Sequence, residues 1–265
     1  MLGVSRSSFY KPVKQTEDEK AETEKAVINS FHRNHGRYGR IRIRKELLLK
    51  EGISVSEYRI GNILRKHSLQ AKSGRIGKRK KQTPDRIQYL EENLIKDKFG
   101  ITQPNYLWCS DITELKCRKS KLYLCGIIDV ATRRIVGWSI AKTQTQKLVQ
   151  DTLAMAVGRN PSRPDGAVYH SDRGCQYTAK KTKQMVESFG FRKSMSRPGT
   201  PSDNQPIESF WRTLECEMPS ICNLAFEDAA RTIAAYIELY YNSERLHSGI
   251  QYLIPNQLFT LLTVY

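Results

Sequence analysis

Long apolar runs are missing. No stretch of the 265 residues approaches the roughly 20 consecutive apolar side chains that a membrane helix needs. The opening MLGVSRSSFYKP has no apolar core of the kind that marks a signal peptide. A membrane partner is set aside, and the chain is expected in the cytoplasm. The six cysteines, at 109, 117, 125, 175, 216 and 222, contain no CxxC pair, so neither a disulfide framework nor a cysteine zinc site is suggested; buried free thiols are expected. His32 and His35 form an HxxH pair, but no cysteine pair completes four ligands, so zinc is rejected there. Acidic residues are also scarce, 27 against 44 Lys and Arg, for a net charge of +17. With 39% hydrophobic and 27% charged residues the chain is otherwise ordinary globular material. The surplus points to a polyanion, because cations laid on a phosphate backbone gain free energy by releasing condensed counterions.

That surplus is uneven. Residues 1–100 hold 24 basic and 12 acidic side chains, whereas residues 101–265 hold 20 and 15. Lys72–Lys81 (KSGRIGKRKK) has six positive charges and almost no apolar content, so it cannot fold by itself. It is expected to be a linker whose Lys78, Arg79, Lys80 and Lys81 lie along phosphates. Before it, Arg40–Lys50 places Ile41, Leu47 and Leu48 on a helical face and ends at Gly52. A second helix, capped by Ser54 or Ser56, carries Ile60, Ile63 and Leu64 at helical spacing through His67; Ser54 with Glu57 fits a capping box. Helix, short turn, helix is a DNA-binding outline, and Arg59, Asn62, Arg65 and Lys66 offer donors for base edges and phosphates. A plain helical hairpin with a solvated basic face is the bland alternative; the charge surplus favours DNA. Three regions follow: a helical unit 1–71, a basic linker 72–100 and a larger unit 101–265.

Beyond the linker the texture becomes mixed α/β. Tyr106–Lys116, Leu122–Val130 and Ile135–Ala141 read as strands, Thr145–Val157 as a helix, Ala167–Ser171 as a strand and Ala179–Phe189 as a helix ending at Gly190, with one more strand after it. A loop, Arg197–Asn204, precedes helical patterns over Phe210–Met218 and Glu227–Tyr241. Three acids stand out. Asp111 sits inside an apolar strand, where an unpartnered carboxylate is expensive. Asp172 ends a strand just before Arg173-Gly174, and Glu208 falls in the first turn of a helix that Pro206 opens. Each has an ordinary explanation alone: turn chemistry for Asp172, the positive helix end for Glu208. Converging at one sheet edge, they would offer oxygen ligands for Mg²⁺ or Mn²⁺, and a pair of such ions suits in-line displacement at phosphorus. Asp129 reads as a turn aspartate, Asp203 as a loop or cap residue, and His170 as a catalytic base or a satisfied core histidine, the second being favoured.

These words together resemble a known family. Trp108-Cys109-Ser110-Asp111-Ile112-Thr113, His170-Ser171-Asp172-Arg173-Gly174-Cys175-Gln176-Tyr177, and Ser194–Gly199 through Asp203-Asn204 to Glu208-Ser209-Phe210-Trp211 are similar to the catalytic core of bacterial insertion-sequence transposases. Sixty residues separate the two aspartates and 35 separate Asp172 from Glu208, the latter resembling the DDE signature shared with retroviral integrases. Tyr241-Asn242, Arg245 and His247 match the group's C-terminal pattern. Leu2–Ser7 and Tyr38-Gly39-Arg40-Ile41 match the second-frame product of the IS-three family. The resemblance implies a ribonuclease-H-like mixed sheet flanked by helices behind a small helix-turn-helix-like domain. It also implies two divalent ions, Mg²⁺ or Mn²⁺, held by Asp111, Asp172 and Glu208. DNA cleavage and strand transfer at element ends would follow, with no covalent protein intermediate, by a homo-oligomer acting at the bacterial nucleoid. It further implies fusion to an upstream-frame part that supplies end recognition and a zipper, which these 265 residues lack.

One departure stands out. Family members carry Lys or Arg seven residues after the catalytic glutamate, and here that position is Glu215. Seven residues are nearly two turns, so Glu215 shares a face with Glu208 and would repel a phosphate. Arg212 is expected to substitute. The competing readings are a weakened DNA-binding regulator that keeps the fold, and a nuclease without transposition.

Overall fold

The computed structural model describes residues 16–72, 91–95, 100–198 and 200–263. Lys78, Arg79, Lys80, Lys81 and the Leu2–Ser7 word lie outside that set. The chain divides into two compact units, Met1–Ser73 and Gly74–Tyr265.

In the first unit, α1 (Glu17–Arg33) is a helix that sequence periodicity misses. Its start is a capping box: Thr16 Oγ1 accepts from the Glu19 amide, the Glu19 carboxylate accepts from the Thr16 amide, and Glu17, Asp18 and Glu19 sit at the positive helix end. Next come α2 (Arg40–Glu46), prolonged by a π-helical turn over Leu47–Glu51, and α3 (Glu57–Lys66). Gly52, at φ 67°, stops the second helix as expected, since a left-handed residue there is cheapest as glycine. Ser56, not Ser54, caps α3 by accepting from the Arg59 amide. Val27, Phe31, Ile43, Leu47, Ile60, Ile63 and Leu64 form the interior. Ile41 and Leu48 do not join it; they are 43% and 46% exposed, because the buried stripe of α2 runs through Ile43 and Leu47 instead. Glu46 is buried at the centre and accepts from Ser30 Oγ (2.6 Å), Asn34 Nδ2 (2.7 Å) and Lys50 Nζ (2.9 Å), which ties α2 to α1.

The second unit is built on strands β1 (Leu107–Cys117), β2 (Ser120–Asp129) and β3 (Ile135–Ala141), then helix α4 (Gln146–Arg159), strand β4 (Val168–Ser171), the short helix α5 (Cys175–Thr178), helix α6 (Lys180–Ser188) and strand β5 (Arg192–Met195). Their order in the sheet is β3-β2-β1-β4-β5. The first three strands are antiparallel neighbours, whereas β4 and β5 add in parallel, which requires the helical crossovers. This is the ribonuclease-H-like mixed sheet. Trp108, Ile127, Val136, Leu153, Tyr169 and Val186 pack α4 and α6 onto one face. Gly137 permits the closeness of α4, since a Cβ there would fall 2.7 Å from that of Ala156. The other face receives α7 (Gln205–Glu217), which follows a 3₁₀ turn over Pro201–Asn204. The chain ends in α8 (Phe226–Ala235), a π-helical turn over Tyr236–Tyr241, and α9 (Pro255–Thr263), which the sequence reading did not place.

Each edge strand is met at one end by groups from outside the sheet, where unpaired strand edges would otherwise invite association. At β3, the Asn242 side chain accepts from the Ile135 amide (2.9 Å) and donates to its carbonyl (3.0 Å), imitating a strand partner. At β5, the Glu92 carbonyl accepts from the Met195 amide (3.4 Å) and the Leu94 amide donates to Ser194 Oγ (3.0 Å). Cys109, Cys117 and Cys125 are buried as expected, but Cys175 and Cys222 are exposed. Among the described residues no helix is long and apolar enough to cross a membrane.

Candidate active site

Asp111 lies on β1 opposite Gly126 of β2. The parallel register of β1 with β4 ends at Ser110 and Ser171, so Asp111 and Asp172 each stand one step past the last pair. Neighbouring strands are about 4.8 Å apart, and two distant aspartates therefore come close together where β4 stops, midway along β1. Glu208 comes from α7, whose N-terminal half is tied to β1 at two points. Asn204 Nδ2 donates to the Ser110 carbonyl (2.9 Å), and Trp211 Nε1 donates to Asp111 Oδ2 (2.9 Å). Glu208 stands between these two residues on the helix. Gly126 makes room: a Cβ there would lie 2.7 Å from Trp211 Cη2 and 3.5 Å from Ile207 Cδ1.

Burial pushes the Asp172 carboxyl above its ordinary value of 3.8, against the hydrogen bond its Oδ1 accepts from the Gly174 amide (2.9 Å). A cation beside it would offset that desolvation. The donor set is all carboxylate oxygen, hard and anionic, which fits Mg²⁺ or Mn²⁺ rather than a soft ion. Among the described residues no group of three or more His, Cys, Asp or Glu side chains is placed to hold a metal ion. Asp111 is engaged by Trp211, and Asp172 by Gly174.

The decoys take structural roles. Asp129 closes the β2–β3 turn by accepting from the Asn105 amide (3.0 Å) and from the Thr132 amide and hydroxyl (3.0 and 2.5 Å); burial pushes its carboxyl up to about 6. His170 is buried between Ser194 Oγ (2.8 Å) and Ser196 Oγ (3.0 Å), and burial holds it down to about 4, a neutral core imidazole at pH 7. Asp203 closes the loop before α7. It accepts from the Arg197 guanidinium (3.0 and 2.8 Å), the Arg197 amide (2.8 Å) and Asn93 Nδ2 (2.8 Å). Arg197, foremost, pulls its carboxyl from 3.8 to about 2. A lowered folded-state pKa means the stabilisation is complete above about pH 4 and is lost as pH falls toward 2. The stability gap between wild type and Asp203→Asn, measured by urea unfolding, is therefore expected to be constant from pH 7 to 4 and to narrow below that.

The predicted DNA-binding residues on α3 meet mixed fates. Asn62 and Arg65 are exposed and linked, Arg65 donating to Asn62 Oδ1 (2.6 Å). Arg59 is half-buried, and the exposed Lys66 pairs with Glu24 of α1 at 2.7 Å. On α7, Arg212 and Glu215 are both exposed, one and two turns beyond Glu208.

The layout is that of an integrase-type ribonuclease-H-like core behind a helix-turn-helix-like unit. Integrase core domain families match residues 101–201 and 189–255, and an HTH-like domain family matches residues 17–79. The chain is 38% identical to the transposase of insertion sequence element IS904 from Lactococcus lactis, covering 92% of this chain and 96% of that protein. It is 31% identical to transposase InsF of IS3A from Escherichia coli, over 97% and 91%. Among solved structures, the HTLV-2 integrase catalytic core domain in complex with magnesium is similar over 59% of this chain and 97% of its own, with 19% identity and a TM-score of 0.41. The chain belongs to the IS3 family of insertion-sequence transposases.

Two features escaped the sequence reading. Trp211 figured there only as a flanking letter, although a fully buried indole must find an acceptor. The C-terminal Asn242 and Arg245 turn out to be structural: Asn242 covers β3, and Arg245 is buried in a two-point pair with Glu217 (2.8 and 2.7 Å).

Proposed function

We propose that this transposase cuts DNA at the ends of its element and joins the freed ends to target DNA, with Asp111, Asp172 and Glu208 holding two divalent ions, Mg²⁺ or Mn²⁺. The observation that supports this reading is the double tether of α7 to β1, at Asn204 and Trp211 on either side of Glu208 in the chain, together with the register that brings Asp172 to the strand bearing Asp111. Bound divalent ions supply activation of the attacking oxygen and stabilisation of the leaving one. The chain's own part is to fix three anionic ligands on rigid elements: the middle of β1, the end of β4 and the start of α7. Water then displaces a 3′ oxygen at the scissile phosphodiester, and that 3′ hydroxyl attacks a second phosphodiester, whose own 3′ oxygen leaves as a hydroxyl. The exposed Asn62 and Arg65 of α3, with Arg59, Lys66 and the linker cations Lys78, Arg79, Lys80 and Lys81, contact the duplex. An oligomer working on two ends at once, with an upstream-frame part for end recognition, completes the assembly.

The test uses a labelled terminal-repeat oligonucleotide and a second duplex in Mg²⁺. Cutting followed by joining supports the reading. Cutting without joining reduces it to a nuclease, and binding without cutting leaves a DNA-binding regulator.

Glu215 gives that last reading a specific observation, because an exposed carboxylate stands on the face of α7 that carries Glu208. Glu215→Lys is expected to raise joining severalfold and to tighten DNA binding, with a steeper salt dependence as one more phosphate contact forms. Unchanged joining and affinity would show that Arg212 already does this work.

A further inference from the structure

We propose that Trp211 is a positioning residue for the metal site, its indole N–H fixing the orientation of the Asp111 carboxylate. This rests on the reading of Asp111 as a metal ligand and adds the residue that sets its geometry.

Trp211 is fully buried, and its Nε1 lies 2.9 Å from Asp111 Oδ2. The sheet is shaped to admit it. Gly126, directly across from Asp111 in the antiparallel register, leaves the space that the distal ring edge fills; a Cβ there would stand 2.7 Å from Cη2 and 3.3 Å from Cζ2. Glycine inside a strand forfeits packing and conformational entropy, so its place here marks a close approach that the chain maintains.

The donor type suits the task. An indole N–H donates and cannot accept, and it is neutral. It can hold a carboxylate oxygen without presenting a cation that would compete with a divalent ion or an amide that could flip to its carbonyl. Outer partners of this kind orient ligands, and losing one typically lowers metal affinity or activity about 10–100-fold. Because Trp211 lies three residues after Glu208, one contact sets both the rotation of α7 and the aim of Asp111. A packing role alone would need the ring and not the N–H.

The experiment separates ring from N–H in the full-length chain. Trp211→Phe removes the donor and keeps an aromatic ring; incorporation of 3-benzothienylalanine at 211 keeps the full bicyclic shape and also lacks the donor, which covers the case in which Trp211→Phe folds poorly. Gly126→Ala leaves the donor and displaces the ring. Metal binding is read by the rise in melting temperature across an Mg²⁺ or Mn²⁺ titration, and cutting by kcat and KM for the oligonucleotide. All three variants are expected to need about tenfold more metal for half-maximal stabilisation and to lose about tenfold in kcat at unchanged KM. A benzothienyl variant with the wild-type metal midpoint and kcat overturns the proposal while leaving the function reading intact. A wild-type chain that is neither stabilised by metal nor able to cut removes that reading, and this one with it.

Discussion

Asp172→Asn is expected to abolish cutting and joining, by about a thousandfold or more, while leaving the chain folded with an unchanged or higher melting temperature. The two halves of that result have separate causes. Asn keeps an Oδ1 that can accept from the Gly174 amide, so the local turn survives. It removes a negative charge from a buried place, where desolvation already disfavours the anion. What it takes away, on the proposed reading, is an anionic oxygen for a divalent ion. Asp111→Asn should behave alike, since an amide oxygen can still accept from Trp211 Nε1. Cutting of the labelled oligonucleotide in Mg²⁺ and thermal unfolding by circular dichroism measure the two halves. Activity within about tenfold of wild type in either variant would remove that residue from the ligand set; loss of activity together with loss of fold would make its role structural.

The contrast between what is readable and what is hidden follows the range of the interactions. β3 falls where alternation and β-branched residues put it, and β1 and β2 fall within two residues, because turn residues such as Arg118-Lys119 and Thr132-Arg133 punctuate them. Asp111 is conspicuous because charge interrupts an apolar strand, whereas Asp172 at the end of its strand reads equally well as an ordinary turn residue; the register that brings them together is tertiary. The first helix is hidden because its interior rests on little more than Val27 and Phe31 in a run of charges, and its start depends on the reciprocal Thr16–Glu19 cap. Ser54 and Ser56 are indistinguishable by composition, and the position of the first α3 turn decides for Ser56. Arg245 and Asn242 are visible as letters of a pattern but silent about their partners, Glu217 and Ile135, which are 28 and 107 residues away.

Arg245→Ala is expected to destabilise the second unit by about 3–5 kcal/mol, because it strands a buried Glu217 without its counter-charge. The pair is almost fully enclosed, 3% and 5% exposed at the side chains, and it is bidentate, so water cannot readily replace the lost guanidinium. Tyr236 also donates to Glu217 (3.2 Å), and Arg245 lies over the Tyr241 ring, which in turn packs edge-on against Phe210 of α7. The network thus grips the C-terminal end of the same helix whose N-terminal end carries Glu208. A triple replacement, Glu217→Leu with Tyr236→Phe and Arg245→Met, removes both ions and the tyrosine donor at once and is expected to recover most of the stability, since the desolvation of both ions disappears together with their attraction. Denaturant unfolding of the single and triple variants, followed by oligonucleotide cutting under conditions where both remain folded, distinguishes stability from alignment. If the ion pair serves only the fold, cutting returns with stability in the triple variant. If its fixed fork geometry also sets the pitch of α7, the triple variant is stable but slow, because Leu and Met fill the volume without specifying the angle at which α7, and Glu208 on it, lies against β1. A single variant that loses less than about 1 kcal/mol would show that water or another side chain already shares the load on Glu217.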